Sequence, residues 1–393
     1  MNGLNCESKK SSQQTLRACI ITAVVSVLVT LISLSLVFFS VPGAANLWLA
    51  DFYIDKYHLG EYDGAEIADG LLNGYVYGLD DKYSRFYGAD ATEVRSNKLK
   101  GVALGLGIMT VKHPESEKAV VYRVYSGSPS EKAGIKEGDI LVSIGEYDIE
   151  KIGYTKAFDM LSFDNGDLVD VVVLRDGITE TVTLTAGNIT VQTVFYEKIG
   201  EYGYIEITSF NDATVAQFEE AISRLTAQGV KGLVFDLRDN GGGTVDSVGE
   251  ILDILLPEGV LMTATDKKGA KKTELTSDSN FVDLPMAVLV NGRTASASEL
   301  FAANIRDFEK GILIGEKTYG KAVMQTTYDL LFGKSIVLTT AEFAPHSGVT
   351  YNKIGLMPDI EINPTEKEAL IRFYDTVEKD PVFISAIDYL KEE

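Results

Sequence analysis

The chain has 393 residues, which is enough for two or three domains of ordinary size. Hydrophobic residues make up 45% of it and charged residues 24%, which is typical of folded proteins and excludes both wholesale disorder and a protein with many membrane spans. The formal net charge is −21, and so acidic a chain is not expected to bind nucleic acid, which requires clustered Lys and Arg.

The first predicted element is an apolar helix at residues 18–41, a run without a single acidic or basic side chain. At about 1.5 Å per residue it can cross a hydrocarbon core of about 30 Å, so we expect a transmembrane anchor. Lys9, Lys10 and Arg17 precede it, and the positive-inside rule therefore places residues 1–17 in the cytoplasm and the remainder outside. Small residues at Gly43–Ala45 leave cleavage by a signal peptidase open, although the run is longer than a typical signal-peptide core.

The two cysteines, Cys6 and Cys19, both lie at or before the start of this run. The exported part is therefore expected to contain neither a disulfide nor a thiol nucleophile.

Three further segments can be distinguished along the exported part. Residues 43–97 predict a helical connector that ends in a turn-like stretch at Leu79–Gly88. Residues 98–188 contain short β-like runs separated by Gly and Asp turns, which predicts a compact β-rich module. Residues 189–363 then alternate between strand and helix patterns, and residues 364–393 are expected to form a C-terminal helical segment.

Strands are predicted in the third segment at Tyr202–Ile207, Lys231–Leu237 and Met286–Val290, and a helix at Val245–Leu256. This βαβ order predicts an α/β core with mainly parallel strands. The catalytic residues of such a core are expected in the loops at the ends of its strands.

A candidate nucleophile lies directly after the third strand, in the segment NGRTASASELFAANIRDF (Asn291–Phe308). Apolar spacing predicts a helix that begins near Ala297, which places Ser296 at its N-terminal edge. A hydroxyl there meets unpaired backbone N–H groups and the positive end of the helix dipole. Taken alone, the feature favours an ordinary helix cap at Ser296 or Ser298.

A nucleophilic serine needs a base, and the chain has only three histidines, His58, His113 and His346, none of them within a recognisable motif. A lysine can serve where burial lowers its pKa. Lys321 follows Gly320 and begins an apolar β-like run, in which Gln325 would share its face and could hydrogen-bond to it. A solvent-facing lysine at a strand edge is the alternative.

The glycine-rich stretch LRDNGGG (Leu237–Gly243) closes a predicted buried strand. Consecutive glycines can present backbone N–H groups as an oxyanion hole. The stretch also resembles a phosphate-binding turn, but it lacks the Gly-Lys-Ser/Thr ending of a P-loop.

Taken together, the segment TASASELFAANIRDFEKGILIGEKTYGKAVMQ resembles the central signature of the C-terminal processing peptidases, also called tail-specific proteases. The resemblance runs from about Asp51 to Ile362 and implies an α/β core of layered sheet and helices, like that of crotonase and ClpP. It also implies specific roles: Ser296 as nucleophile, Lys321 as base with Gln325 beside it, and Ala297 with Gly242 or Gly243 as oxyanion donors. Lys82 and Gly241 stand where the family commonly has proline, and Ala322 where it usually has glycine.

The β-rich module resembles a PDZ domain, through ALGLGI (Ala103–Ile108) and SGSPSEKAGIKEGDILVSIG (Ser126–Gly145). This resemblance implies that backbone N–H groups around Gly105 and Gly107 receive the C-terminal carboxylate of a peptide. The side-chain pocket would be lined by Leu104, Leu106 and Ile108.

The sequence therefore predicts a membrane-anchored serine endopeptidase that recognises protein or peptide substrates by their free C-termini. No metal or organic cofactor is implied, since the chain has neither a His cluster nor a nucleotide motif. Two alternatives are a PDZ-bearing protease of the trypsin type and a catalytically silent PDZ scaffold. The natural substrate, the cleavage preference and the oligomeric state, including a homo-oligomer, stay open.

Overall fold

The computed structural model describes residues 17, 19–33, 35 and 43–393. These divide into two compact units, Met1–Leu71 and Leu72–Glu393. The predicted anchor at residues 18–41 lies only partly within the described residues, of which 19–33 are helical. In the part of the chain that the structure describes, no helix is both long and apolar enough to cross a membrane.

The connector predicted at residues 43–97 is largely helical, and its last part contains a strand. Its elements are α1 (Ala44–Tyr57), α2 (Gly64–Tyr77), β1 (Arg85–Tyr87) and α3 (Ala89–Leu99). The stretch at Leu79–Gly88 is thus a turn only at its beginning. Local sequence could not reveal β1, because its pairing partner lies near the other end of the chain.

The PDZ-like module contains two sheets around a core of its own. The larger sheet has the order β3-β4-β5-β7-β8 with β6 beside β5, and the smaller pairs β2 with β9. The strands are β2 (Val102–Gly105), β3 (Ile108–Lys112), β4 (Ala119–Val124), β5 (Ile140–Ile144), β6 (Tyr147–Asp148), β7 (Leu168–Arg175), β8 (Ile178–Thr185) and β9 (Gly187–Thr190). The short helices are α4 (Pro129–Lys132), α5 (Ile149–Ile152) and α6 (Tyr154–Asp159). Strand β3 is an edge of its sheet.

The α/β core is built on a sheet of order β10-β11-β12-β15-β16-β19. All neighbouring strands after the antiparallel β10–β11 pair run parallel. The strands are β10 (Val194–Ile199), β11 (Tyr202–Ile207), β12 (Leu233–Asp236), β15 (Met286–Val290), β16 (Gly311–Gly315) and β19 (Ile360–Glu361). The helices are α7 (Asp212–Ala227), α8 (Val245–Leu255), α9 (Ala297–Asp307), α10 (Glu366–Ala369), α11 (Ile371–Tyr374) and α12 (Pro381–Glu392).

Helices cover both faces of this sheet, which explains why its central strands are apolar throughout. Along β15, Val288 packs into the core shared with α7, α8 and α9, whereas Ala287 and Leu289 pack into the core shared with α12. Successive side chains of a strand point to opposite faces, so the run MAVLV supplies both cores. The predicted βαβ core is confirmed, and the strands at Tyr202–Ile207 and Met286–Val290 have the predicted bounds.

A fourth sheet joins β1, near the end of the connector, to four strands of the segment at residues 189–363. Its order is β1-β18-β13-β14, with β17 paired to β18, and its remaining strands are β13 (Gly259–Asp266), β14 (Lys271–Ser277), β17 (Val323–Asp329) and β18 (Ser335–Ala344). Strand β1 pairs antiparallel with β18, where Phe86 lies opposite Ile336. Single 3-10 turns occur at Leu331–Gly333 and Val377–Lys379.

Candidate active site

Three loops of the core leave the carboxyl ends of neighbouring parallel strands. The loop after β12 carries the glycines, the loop after β15 carries Ser296, and the loop after β16 carries Lys321. Because parallel strands end at the same edge of a sheet, the three loops meet there. The sheet therefore brings together the candidate residues from three distant parts of the sequence.

Ser296 lies immediately before α9 in a strained backbone conformation, with φ 61° and ψ −119°. A residue with a Cβ rarely adopts a positive φ, and such strain concentrates at functional sites. Ser296 is half-buried, whereas Ser298 is fully buried and its hydroxyl has no hydrogen-bond partner among the described residues. The geometry thus favours Ser296 over Ser298 as the serine that a substrate can reach.

Lys321 lies in the loop before β17 rather than within a strand, since β17 begins at Val323. Its amine lies 4.6 Å from the centroid of the Tyr83 ring, and no hydrogen bond joins it to Ser296 among the described side chains. Burial is the main cause that lowers the pKa of Lys321 below the ordinary lysine value, and the positive charge of Arg95 acts in the same direction.

Gln325 does not hydrogen-bond to Lys321. A register shift interrupts the β17–β18 pairing between Met324 and Gln325, and the Gln325 side-chain amide donates to the carbonyl of Val323 at 3.1 Å. The alternation expected for a regular strand from Lys321 onward therefore does not hold here.

The glycine loop packs directly against the serine. A Cβ at Gly242 would lie 2.9 Å from the Ser296 Cβ and 2.7 Å from the Ala295 carbonyl, and its φ of 97° also requires glycine. The Gly242 N–H donates to Asn240 Oδ1 at 2.8 Å. In the described part of the chain the N–H groups of Gly243 and Ala297 have no acceptor, so they are the available donors.

Glu299 connects the serine loop to the lysine loop. Its carboxylate is fully buried in α9 and accepts the backbone N–H groups of Ser296 at 2.9 Å, Gly320 at 2.8 Å and Lys321 at 2.8 Å, together with the Thr318 hydroxyl at 2.5 Å. Burial raises the pKa of the Glu299 carboxyl, and the four donors oppose that rise. Sequence reasoning missed this residue, although Ser296-x-x-Glu299 has the spacing of a capping box.

Sequence reasoning also missed a buried ion cluster at the base of the glycine loop. Arg238 donates to Asp236 at 2.5 Å, and Arg372 of α11 donates to Asp236 at 3.1 Å and also to Asp239. Tyr204 adds a hydroxyl hydrogen bond to Asp236 at 2.8 Å. Burial alone would raise the pKa of Asp236, but the two guanidinium groups hold it below its usual range. The cluster ties the C-terminal segment to the turn that leads into the glycines.

Within the larger unit, neither His346 nor His113 contacts these loops in the part of the chain that the structure describes. His346 Nδ1 lies 2.9 Å from the Val260 carbonyl, and its ring packs 4.1 Å from that of Phe308. His113 packs against Tyr374, with 4.9 Å between ring centroids. Lys321, whose backbone N–H shares the Glu299 carboxylate with that of Ser296, therefore stays the candidate base.

The proposed peptide-binding loop of the PDZ-like module lies between β2 and the edge strand β3. The N–H groups of Leu106 and Gly107 have no acceptor in the described structure, as a carboxylate site requires. Leu106 is buried in the module core and Ile108 is half-buried, whereas Leu104 is 42% exposed. The three predicted pocket residues thus differ in burial. Gly105 ends β2 opposite Gly187.

Comparison with known proteins agrees with this architecture. The model of peptidase family S41 matches residues 201–362, and a PDZ domain model matches residues 102–185. A carboxyl-terminal-processing protease of Picosynechococcus sp. is 30% identical, over 82% of this chain and 78% of that protein. The chain belongs to peptidase family S41.

Further relatives of this S41 chain include a chloroplastic C-terminal processing peptidase of Tetradesmus obliquus, 31% identical over 73% of this chain, and the carboxy-terminal processing protease CtpA of Bacillus subtilis, 30% identical over 76%. The chain spans about two thirds of these two relatives, 66% and 64% of their lengths. A solved structure of a photosystem II D1 C-terminal processing protease is 29% identical with a TM-score of 0.50, covering 84% of this chain and 91% of that one.

The Glu299 contacts lead to a testable prediction for this S41 site. Glu299→Gln leaves one acceptor oxygen for four donors, so we expect the free energy of unfolding to fall by about 1–3 kcal/mol. Displacement of the two loops is expected to lower kcat/KM by about 10–100-fold. Denaturant titration and peptide cleavage measure the two effects.

Glu250→Gln on the exposed surface of α8 is the matched control and should match the wild type in both measurements. Equal behaviour of the two variants would show that the Glu299 carboxylate does not hold the loops.

Proposed function

We propose that the protein is a serine endopeptidase in which Ser296 is the nucleophile and Lys321 the general base. The observation that carries this proposal is that one buried carboxylate, that of Glu299, holds both a strained, half-buried serine at the start of α9 and a lysine whose pKa is lowered by burial. A neutral amine can accept a proton, so a lowered lysine pKa is what such a base requires. Membership in family S41 supports the same chemistry.

The reaction follows from the groups at the site. Rotation of the lysine side chain brings its neutral amine to the hydroxyl, and Lys321 takes the Ser296 proton as the oxygen attacks a peptide carbonyl. The N–H groups of Ala297 and Gly243 then donate to the developing oxyanion. The protonated lysine passes its proton to the leaving nitrogen, and a water molecule, deprotonated by the same amine, hydrolyses the acyl-enzyme.

We assign recognition of the substrate's C-terminus to the PDZ domain. A peptide would add as a strand beside the edge strand β3, and its terminal carboxylate would accept the free N–H groups of Leu106 and Gly107. No lysine or arginine side chain occurs within residues 103–108, so backbone donors carry this recognition. The substrates are accordingly proteins or peptides with a free C-terminus.

The apolar run at residues 18–41 is proposed to anchor the enzyme as a single-pass protein with a cytoplasmic N-terminus. Its length, its lack of charged side chains and the basic residues before it support this proposal. The catalytic part would then act outside the cytoplasm.

Substitution of the dyad tests the activity. Ser296→Ala, Lys321→Ala and Lys321→Arg should each lower kcat/KM by about a thousandfold or more. The arginine variant is included because a guanidinium cannot serve as the base.

The pH dependence of the wild type tests the same role. Wild-type kcat should rise with pH through one ionisation below the free-lysine value of about 10.4, since the neutral amine is the active form. Near-normal turnover by Lys321→Arg would contradict the role of base, and no cleavage by the wild type would favour a silent scaffold.

The role of the substrate's C-terminal carboxylate is tested with one peptide in two forms, the free acid and the C-terminal amide. We expect the C-terminal amide to be cleaved with kcat/KM about tenfold lower than the free acid, because it cannot accept the two charged hydrogen bonds. An N-acetylated peptide, which changes the opposite terminus, is the control. Equal cleavage of amide and acid would contradict recognition by the loop Leu104–Ile108.

Fractionation tests the anchor. The full-length chain should stay in the membrane fraction after a carbonate wash. Protease added outside spheroplasts should degrade its catalytic part. A form lacking residues 1–42 should be found in the soluble fraction. Release of a shortened form from wild-type cells would instead indicate cleavage after the apolar run.

A further inference from the structure

The turn that precedes β1 places an aromatic ring beside the base. The Tyr83 ring centroid lies 4.6 Å from the Lys321 amine. Asp81 fixes the turn, because its carboxylate accepts the Tyr83 N–H at 3.1 Å and the hydroxyl of buried Ser84 at 2.5 Å. That hydroxyl also accepts the N–H of Thr339 in β18 at 3.2 Å. These hydrogen bonds therefore fix the backbone of the turn, and with it the position of Tyr83, to the sheet that also carries β17.

The charges around the Lys321 amine come from four places. They are Asp81 in the same turn, Arg95 in α3, Glu299 in α9 and the neighbouring Tyr319. In the described structure none of these groups shares a hydrogen bond with the amine, and the four Glu299 contacts are all to other donors. Lys82 also faces the Tyr83 ring, at 4.8 Å, but it is exposed and donates to the Tyr319 hydroxyl at 3.2 Å.

The reaction produces an ammonium group in this half-buried place. A proton leaves the Ser296 oxygen as the bond to the substrate carbon forms, and it stays on the Lys321 nitrogen until the scissile C–N bond breaks. A carboxylate beside the amine would stabilise that ammonium strongly, but it would also keep the resting lysine charged. An aromatic face attracts the cation more weakly.

We propose that Tyr83 is a positioning residue for the base, whose ring face holds the Lys321 ammonium between its uptake of the serine proton and its delivery to the leaving group. The inference rests on the proposed role of Lys321. It also accounts for the position of the amine over the ring rather than against the serine.

Two substitutions distinguish the contribution of the Tyr83 aromatic face from that of its apolar volume. Tyr83→Phe keeps the face and should retain kcat within about twofold. Tyr83→Leu keeps the bulk but loses the face, so the ammonium is less stabilised and the base becomes weaker. The rise of kcat with pH should then move to lower pH by about half a unit to one unit, and plateau kcat should fall about 5–10-fold with KM unchanged.

Tyr328→Leu makes the same change at an exposed position of β17 and should leave the pH profile unchanged. If Tyr83→Leu does not fold, as judged by thermal unfolding, Tyr83→Met replaces it.

A shift of the rise in kcat to higher pH would overturn the proposal, since the ring would then only exclude water. Unchanged kinetics, a rise in KM alone, or equal loss in Tyr83→Phe would overturn it as well. Failure of the dyad itself would appear separately, as full activity of Lys321→Ala in the same assay.

Discussion

The Glu299 carboxylate accepts hydrogen bonds from both loops that carry the candidate dyad, and the geometry of the site depends on it. Its Oε2 atom receives the N–H groups of Ser296 and Lys321, and its Oε1 atom receives Thr318 and Gly320. A buried carboxylate is costly unless its oxygens are paired, and here both oxygens are. The two loops are therefore fixed relative to each other through one side chain of α9.

The glycine loop is held by different forces. Gly242 touches the serine because it has no side chain, and the turn before it is anchored by the buried cluster of Asp236, Arg238 and Arg372. Removing one member of such a cluster leaves an uncompensated buried charge, which typically costs about 3–5 kcal/mol. Since Arg372 belongs to α11, the C-terminal segment is part of the support of the site.

The electrostatics at Lys321 contrast with those of the whole chain, whose net charge is −21. The acidic groups nearest the Lys321 amine, Asp81 and Glu299, have their oxygens engaged by other donors, and an aromatic ring faces the amine instead. Burial can therefore lower the pKa of this lysine despite the acidic surroundings. A free carboxylate at the same place would have kept the amine charged and unable to act as a base.

Local sequence determined the elements and the identity of the candidate groups. The all-apolar run MAVLV allowed a strand to be predicted, and the helical spacing after Ala297 allowed a helix start with Ser296 at its edge. Both predictions were possible because the pattern of apolar residues is a property of the local sequence. Only the tertiary structure decided the contacts between distant segments. Tyr83 reaches Lys321 through the pairing of β1 with β18, and Gln325 turns away at a register shift. Such contacts depend on which segments pair across the fold, and periodicity along one segment carries no record of that pairing.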